Sequence, residues 1–416
     1  MKIGKRQIGD LVPRPGFMGA FKLKKGPGGG LELPGQMFPH ESTGPAAPIL
    51  FDPEKIGYDR VIHNSEASIS IPTDTLDFSA SNSDSIALPK DGIITSIVLV
   101  ADPYQHDVTT AAITVVQDAV DRLISALSIT GRPTYFSLSN TPLYLKAVSA
   151  QNKKVYAGAV IHGDLATAVA TNNTSVQAWL LHFGALNDFD PFDITAGIPA
   201  EDEANLSLIA TFGASDLIAV TSANGTVDTA TDVYAMIFGV QGLSKSYRER
   251  LPIPEFQHQH QNSPTSTTSF NLQPSRYLRR STIVNLGVAA SNNEPRNDTN
   301  VTDLSLIFTK GQRISLFDRF RWDVVRAGLG AWSRGPEVDR DGSAAVAPGG
   351  LAGVTQIDWA KMTGNPYGLN LYGYQEGQAV IQATMGTTTG SIHVYHEYYN
   401  FADPSVPEKW GGYGGQ

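Results

Sequence analysis

The chain has 416 residues, enough for two domains that each bury a core, and its 40 Gly and 25 Pro favour loop-rich β structure over helical bundles. Its formal net charge of -9 argues against nucleic-acid binding by the body of the chain. Cysteine is absent, which excludes disulfides, Cys-ligated metals and thiol nucleophiles.

Residues 1–64 are expected to form an extended arm rather than a domain, because Pro and Gly interrupt regular structure throughout, most densely at residues 26–30. The arm begins with a basic stretch in which seven cations face the single acid Asp10: Lys2, Lys5, Arg6, Arg14, Lys22, Lys24 and Lys25. Interleaved apolar residues such as Phe17 and Phe21 favour contact with an anionic surface, either lipid headgroups or nucleic acid. The alternative is a terminus whose charge only aids solubility.

The next segment, residues 65–243, is predicted to be a β-domain. Its pattern is a strand, a second strand, a Gly turn at Thr130–Gly131 and a returning strand, at residues 93–100, 123–129 and 132–138. The domain is expected to close with strands at residues 205–210 and 232–238. Residues 107–127 also show helical spacing, so we expect a short helix near residues 111–120.

Residues 281–400 repeat that order and are predicted to be a second β-domain. The strands are expected at residues 282–288, 301–308 and 313–317, and the closing pair at residues 369–372 and then 379–384 with 391–399. The polar, Pro-punctuated segment 244–280 between the two domains is interpreted as a linker. Residues 401–416 are interpreted as a tail. Near the end of the second domain, Tyr395 is expected in the core, and Tyr398 and Tyr399 are left open between core and partner contact.

Candidate metal ligands are few. Asp188, Asp190 and Asp193 lie in the densest acidic stretch and offer hard oxygen ligands for a divalent cation, but an acidic loop is more often simply solvated. His393 and His396 are three residues apart on a predicted strand, so their rings should face opposite sides of the sheet.

His258 and His260 would share a face if their segment is extended, yet no third ligand is apparent near them in the sequence. No cofactor-binding motif, nucleophile elbow or phosphate-binding loop occurs, and we expect no cofactor and no catalytic activity. A pair of carboxylates for glycoside hydrolysis stays open, since spacing in space is not readable from the sequence.

The tandem β-domains, the basic arm and the missing catalytic motif resemble the double jelly-roll major capsid proteins of icosahedral, membrane-containing DNA viruses. The resemblance is carried by residues 281–317 and, more weakly, by residues 93–138, and it extends over residues 65–400 as an architecture. It implies an all-β fold of two antiparallel jelly-roll sandwiches with an extended N-terminal arm.

The same resemblance implies a viral structural protein. Its expected partners are copies of itself in a homotrimer with a pseudo-hexagonal outline, neighbouring capsomers, other capsid proteins such as vertex proteins, and an internal lipid membrane reached by the arm. A small-molecule substrate is not expected. The expected location is the virion capsid, assembled in the host cytoplasm. The rival interpretation is a carbohydrate-binding or adhesive spike or fibre protein.

Overall fold

The computed structural model describes fifteen stretches of the chain: residues 24–25, 31–32, 66–108, 120–139, 144, 173–186, 190–216, 225–243, 245–262, 267–287, 296–297, 301–308, 313–317, 353–386 and 390–401. No helix within these stretches is long and apolar enough to cross a membrane. Two short helices are found there, α1 (Lys245–Arg248) and α2 (Trp359–Thr363). Apart from short 3-10 turns at Val120–Arg122 and Ala200–Asp202, the remaining regular structure of these stretches is antiparallel β.

The first half of the described chain forms two facing sheets. The strands are β1 (Lys24–Lys25), β2 (Leu31–Glu32), β3 (Glu66–Ser70), β4 (Leu76–Asp77), β5 (Ser83–Ala87), β6 (Ile93–Val108), β7 (Ile124–Thr130), β8 (Thr134–Ser139), β9 (Asn173–His182), β10 (Ser207–Phe212), β11 (Gly225–Val227) and β12 (Asp232–Gln241). One sheet has the order β5–β10–β7–β8 and the other the order β3–β12–β6–β9, with β4 beside β12 and β11 beside β6. Eight strands in two sheets of this connectivity make a jelly roll.

The second half repeats the arrangement. Its strands are β13 (Ile253–Asn262), β14 (Thr267–Asn271), β15 (Tyr277–Leu286), β16 (Val301–Phe308), β17 (Arg313–Phe317), β18 (Val354–Asp358), β19 (Leu369–Asn370), β20 (Ala379–Met385) and β21 (Ser391–Asn400). The sheets have the orders β14–β20–β16–β17 and β13–β21–β15–β18, with β19 added beside β15. The chain is therefore an all-β protein of two jelly rolls.

Eight strands of each jelly roll match in order, and the match includes an irregularity. The central ladders β6–β12 and β15–β21 each contain a bulge near the start of the first strand, at Thr95 in one and at Arg279 in the other. A bulge inserts one residue and shifts the register of everything beyond it. Because both bulges lie at the same place, residues on the two ladders can be aligned position by position.

Two expectations about the second jelly roll are wrong: where it begins, and which of its strands corresponds to β10. The segment 244–280 is not a linker, because it contains β13, β14 and the first residues of β15, all of which belong to sheets of the second jelly roll. Pro254 is accommodated in β13 because that strand lies at a sheet edge, where a missing N–H is tolerated. The structural counterpart of β10 is β20, whereas residues 369–372 contribute only the two-residue strand β19.

Other expectations fall partly or wholly outside the described residues. The helix expected near residues 111–120 lies outside them, apart from Val120 at the start of a short 3-10 turn. In the arm, Lys24–Lys25 pairs antiparallel with Leu31–Glu32, so regular structure does occur there. The rest of the arm and the tail 402–416 lie outside the described residues.

Candidate assembly surface

One sheet of the first jelly roll has two apolar faces. Along β6 the side chains of Ile97, Leu99 and Ala101 point into the core and are buried, as strand alternation requires. The residues between them, Val98 and Val100, are also apolar and lie on the opposite face, where they are only half-buried. A strand with apolar residues on both sides is typical of a sheet that is covered on both faces.

The neighbouring strands extend this outer apolar face across the sheet. Met236 lies opposite Val98 and Tyr234 opposite Val100, while Leu180 and Ala178 flank the same two positions from β9. On the edge strand, Ile69 is paired with Phe238 and is 59% exposed, and Ile71 just beyond the strand is 56% exposed. We call this set of residues the open face. Two isoleucines more than half exposed, one on an edge strand and one just beyond its end, form an exposed apolar patch of the kind that marks interaction sites.

The corresponding face of the second jelly roll is covered. Every residue of β15 is buried, and so is every residue of β21 before Asn400, on both sides of the sheet. One side is the core of the second jelly roll, which contains Ile283 and Val394. The other side packs on the first jelly roll, and Val284, Leu286, Val354 and Tyr395 belong to the same buried cluster as the first core.

Aromatic rings make up the centre of this contact, which we call the seam. Phe256 of β13 lies 4.6 Å from Phe136 of β8 and 6.4 Å from Phe183, measured between ring centroids. Tyr395 lies 5.0 Å from Tyr144, which follows β8 in the chain. Aromatic pairs at such separations stabilise by more than their buried area alone. Tyr395 is thus buried as predicted, but between the two jelly rolls.

A buried polar network crosses the seam. The Tyr144 hydroxyl donates a 2.8 Å hydrogen bond to Oε1 of Glu397, and Arg280 lies 3.7 Å from the same carboxylate oxygen. Burial and the adjacent Glu397 charge raise the pKa of Tyr144 well above its ordinary value, so this phenol stays a donor. The Tyr399 hydroxyl donates to the backbone carbonyls of Phe183 and Gly184. These directional contacts fix one orientation of the second jelly roll on the first.

Asp190 and Asp193, the two described acidic candidates for a metal site, accept local hydrogen bonds. Both carboxylate oxygens of Asp193 accept bonds from its own loop, from the backbone N–H groups of Leu186 and Thr195 and from the Thr195 hydroxyl. Asp190 accepts from the Phe192 backbone N–H. Asp188 lies outside the described residues. The described carboxylates therefore act as loop caps.

Most of the basic candidates of the arm cannot be placed on this surface. Lys2, Lys5, Arg6, Arg14 and Lys22 lie outside the described residues. Lys24 and Lys25 form β1, of which only the backbone is described. Contact of these residues with lipid or nucleic acid stays a prediction.

The histidines are arranged as strand geometry predicts, and a third imidazole joins the pair that the sequence indicated. His393 and His396 do face opposite sides of β21, since His393 lies beside His258 while the Nδ1 of His396 is 2.9 Å from the Ser281 hydroxyl in the core. His258 and His260 share a face of β13. The sequence offered no third imidazole, but the register places His393 directly opposite His260.

Sequence reasoning missed the open face. The signal was present in residues 93–100, where apolar residues outnumber polar ones instead of alternating with them. Such a run predicts burial on both faces, but it does not say what covers the second one. That information required the position of the other jelly roll.

The geometry defines a double jelly-roll protein in which the described residues leave one sheet face open, and comparison with solved structures agrees with that fold. No protein-family model matches the sequence, and no curated protein matches it either. A crystal structure of the STIV MCP, a major capsid protein, is matched with a TM-score of 0.57 and 15% identity, over 81% of this chain and 97% of that chain.

Two further solved structures show the same likeness. An atomic structure of Sulfolobus Turreted Icosahedral Virus is matched with a TM-score of 0.59 and 14% identity, over 81% of this chain and 91% of that one. The VP54 protein of PBCV-1, fitted into a reconstruction of the virophage Sputnik, is matched with a TM-score of 0.50 and 14% identity, over 80% and 94%. At these identities the likeness establishes a shared fold across both jelly rolls.

Proposed function

We propose that this chain is a viral major capsid protein, a structural and non-enzymatic subunit that acts by assembling with copies of itself into an icosahedral shell. The observation that carries the proposal is the pair of aligned sheet faces. In the second jelly roll the face is covered by the first, and in the first jelly roll the face is open and apolar. The likeness to capsid proteins over both jelly rolls supports the proposal.

We further propose that the chain assembles as a homotrimer. If a jelly roll of a second copy covers the open face, each chain offers different surfaces to its two neighbours, which is a heterologous contact. Such a contact produces a closed ring when the rotation between copies is right. Three copies contribute six jelly rolls and hence a pseudo-hexagonal outline. We further propose that these trimers contact neighbouring capsomers and vertex proteins in the virion, after assembly in the host cytoplasm.

The open face is tested by size-exclusion chromatography with light scattering on the full chain. Burying one isoleucine side chain contributes about 1.5–3 kcal/mol. Placing lysines at Ile69 and Ile71 together should therefore weaken association by about 3 kcal/mol, roughly a hundredfold in the association constant. We expect the wild type to elute as a trimer and the double variant, Ile69→Lys with Ile71→Lys, as a monomer.

The matched control is Met362→Lys, which changes a residue of similar exposure, 57%, on α2 of the second jelly roll. It should leave the trimer intact. Unchanged association of the double variant would contradict the proposed interface. A monomeric wild type that binds immobilised oligosaccharides would instead support the adhesive interpretation.

For the arm, we propose that the basic stretch contacts an anionic surface outside the trimer, with the internal membrane as the favoured partner. Deleting residues 1–25 should leave trimers intact and abolish either shell assembly or binding to anionic lipid vesicles. Vesicles with and without anionic lipid, and duplex DNA at the same ionic strength, distinguish lipid from nucleic acid. Unchanged assembly and unchanged binding to both probes would remove the proposed role.

A further inference from the structure

Three imidazole rings lie together where the two jelly rolls meet. The rings of His258 and His260 on β13 are 5.6 Å apart, and that of His393 on β21 lies 5.3 Å from the first and 5.5 Å from the second. Their planes are parallel to within 14°. The ring of Tyr395, 4.4 Å from that of His258, completes what we call the histidine stack.

A hydrogen bond within the stack requires a neutral imidazole. The Nε2 of His258 and the Nδ1 of His393 are 3.1 Å apart, so one nitrogen donates and the other accepts through its lone pair. An imidazolium has no lone pair on either nitrogen, and two imidazolium rings therefore cannot make this bond. The other nitrogen of His393, Nε2, is 3.2 Å from the Ser391 hydroxyl. Full protonation of the pair breaks the contact between β13 and β21 side chains.

The described residues that line the cleft beside the stack include no carboxylate that could balance a positive charge. His258 forms one wall of a cleft of about 210 Å³ whose other described walls belong to the first jelly roll. The polar groups of those walls are the hydroxyls of Ser128, Ser137, Ser139 and Thr211, and the other lining residues are apolar. These side chains come from β7, β8 and β10.

On the second jelly roll, β15 presents Thr282 and Val284 opposite Tyr395 and His393. Glu397 and Arg280 lie further along the same ladder and contact each other. Glu255 of β13 is held by Arg276. These four charged groups are thus already paired with one another.

Burial accounts for the protonation state of the stack. Desolvation, followed by the neighbouring imidazoles, lowers the pKa of His393 to about 3. Desolvation and the adjacent His260 lower the pKa of His258 to about 4. Both groups are therefore neutral near pH 7 and resist protonation while the seam is closed.

We propose that the histidine stack is an acid-sensitive latch at the seam: while His258 and His393 are neutral, β13 stays bonded to β21 and packed on β8, and protonation of these two rings breaks that bond and releases β13 from β8. The latch is a property of the single chain and does not depend on the proposed capsid function. In the open seam the rings reach water and regain an ordinary affinity for protons. Proton binding then favours the open form.

The direction with pH follows from the lowered pKa values. The stabilisation of the seam is fully present above about pH 6.5, the ordinary pKa of histidine, and is lost as the pH falls towards 4. Within that window each histidine contributes up to about tenfold per pH unit to the opening constant, so two contribute up to roughly a hundredfold.

Hydrogen exchange of the full chain, followed by mass spectrometry of peptides from β8 and β13, measures the opening. After correction for the intrinsic exchange rates, protection of these strands should fall by roughly thirtyfold from pH 6.5 to pH 5.5, because each histidine of the open form contributes about fivefold over that interval. In the double variant His258→Gln with His393→Gln the pH dependence should largely disappear. A purely structural role would instead lower protection equally at both pH values.

The matched control is His396→Gln, because His396 is also buried on β21 but faces the core of the second jelly roll. This variant should keep the pH dependence at the seam. Equal pH dependence in the wild type and the double variant would overturn the proposal. If the double variant does not fold, NMR titration of His258 and His393 in the wild type decides: midpoints below pH 5 support the latch and midpoints near 6.5 overturn it.

Discussion

The two jelly rolls have the same strands in the same order, yet they bury the same sheet differently. In the second, β21 is buried at every position before Asn400. In the first, β12 alternates between buried and partly exposed residues, and Tyr234 is 39% exposed. The difference comes from the neighbour of each sheet: the second sheet is covered by the first jelly roll, whereas the first sheet has no such neighbour among the described residues.

The chemistry of the two aligned faces also differs. Counting from the bulges, Ser96, Phe238 and His182 correspond to Arg280, Glu397 and Asp358 of the covered face. At this end of the first sheet Ser96 is buried and its hydroxyl donates to the Pro191 carbonyl. The contact inside the chain is thus fixed by a buried ion pair and tyrosine hydroxyls, while the open face offers apolar area. Charged pairs favour a unique orientation of the contact within the chain, whereas apolar area contributes affinity for a separate molecule.

The largest effect should come from placing the same charge at aligned positions. Val284 and Val100 lie equally far beyond their bulges, one on the covered face and one on the open face. Val284→Lys buries an unpaired ammonium at the seam and should cost more than about 4 kcal/mol of unfolding free energy, or prevent folding. Urea unfolding followed by circular dichroism measures the loss.

Val100→Lys is the control for that comparison. Its side chain reaches water from the open face, so the free energy of unfolding of the single chain should change by less than about 1 kcal/mol. Association should weaken instead, as in the Ile69 and Ile71 variant. Equal losses of unfolding free energy for Val284→Lys and Val100→Lys would mean that the covered face and the open face do not differ in burial.

An intermediate effect is expected from the ion pair of the seam. Removing Glu397 leaves Arg280 buried without that carboxylate and the Tyr144 hydroxyl without its acceptor, so Glu397→Ala should cost about 3–5 kcal/mol. Glu255→Ala removes the partner of Arg276 in a pair that is about one quarter exposed, and should cost about 1 kcal/mol or less. Similar losses in the two urea titrations would argue against the buried network.

The smallest effect is expected from a single hydroxyl. Tyr144→Phe keeps the ring against Tyr395 but removes the hydrogen bond to Glu397, and should cost about 1.5–3 kcal/mol. Tyr234→Phe on the open face removes a hydroxyl from an exposed ring and should leave the free energy of unfolding nearly unchanged. A loss at Tyr234 as large as that at Tyr144 would show that the open face is covered within the single chain.

Much of the fold was predictable from local patterns. The central strands of both jelly rolls, and the returning strands that follow β7 and β16, lie where alternation and Gly turns place them. The edge strand β13 was not predicted, because the polar run from Gln257 to Gln261 has no buried apolar face to mark it. Its partner β21 supplies the hydrogen bonds that make this run a strand.

The open face, the seam and the histidine stack were less predictable than the fold. The run at residues 93–100 indicates two apolar faces, but His258 and His393 are 135 positions apart and meet only through the register of β13 on β21. The same holds for Tyr144 and Glu397, which are 253 positions apart. Contacts over such separations depend on how the sheets pack, and no local pattern encodes them.

The sequence by itself determined an all-β chain with a repeated order of strands, because side-chain alternation and turn chemistry act over a few residues. Only the tertiary structure decided which apolar sheet face is covered by the other jelly roll. It also decided where the second jelly roll begins and which histidines lie together. The physical reason is that a strand buries its two sides against different neighbours, and the position of those neighbours is set by the whole fold.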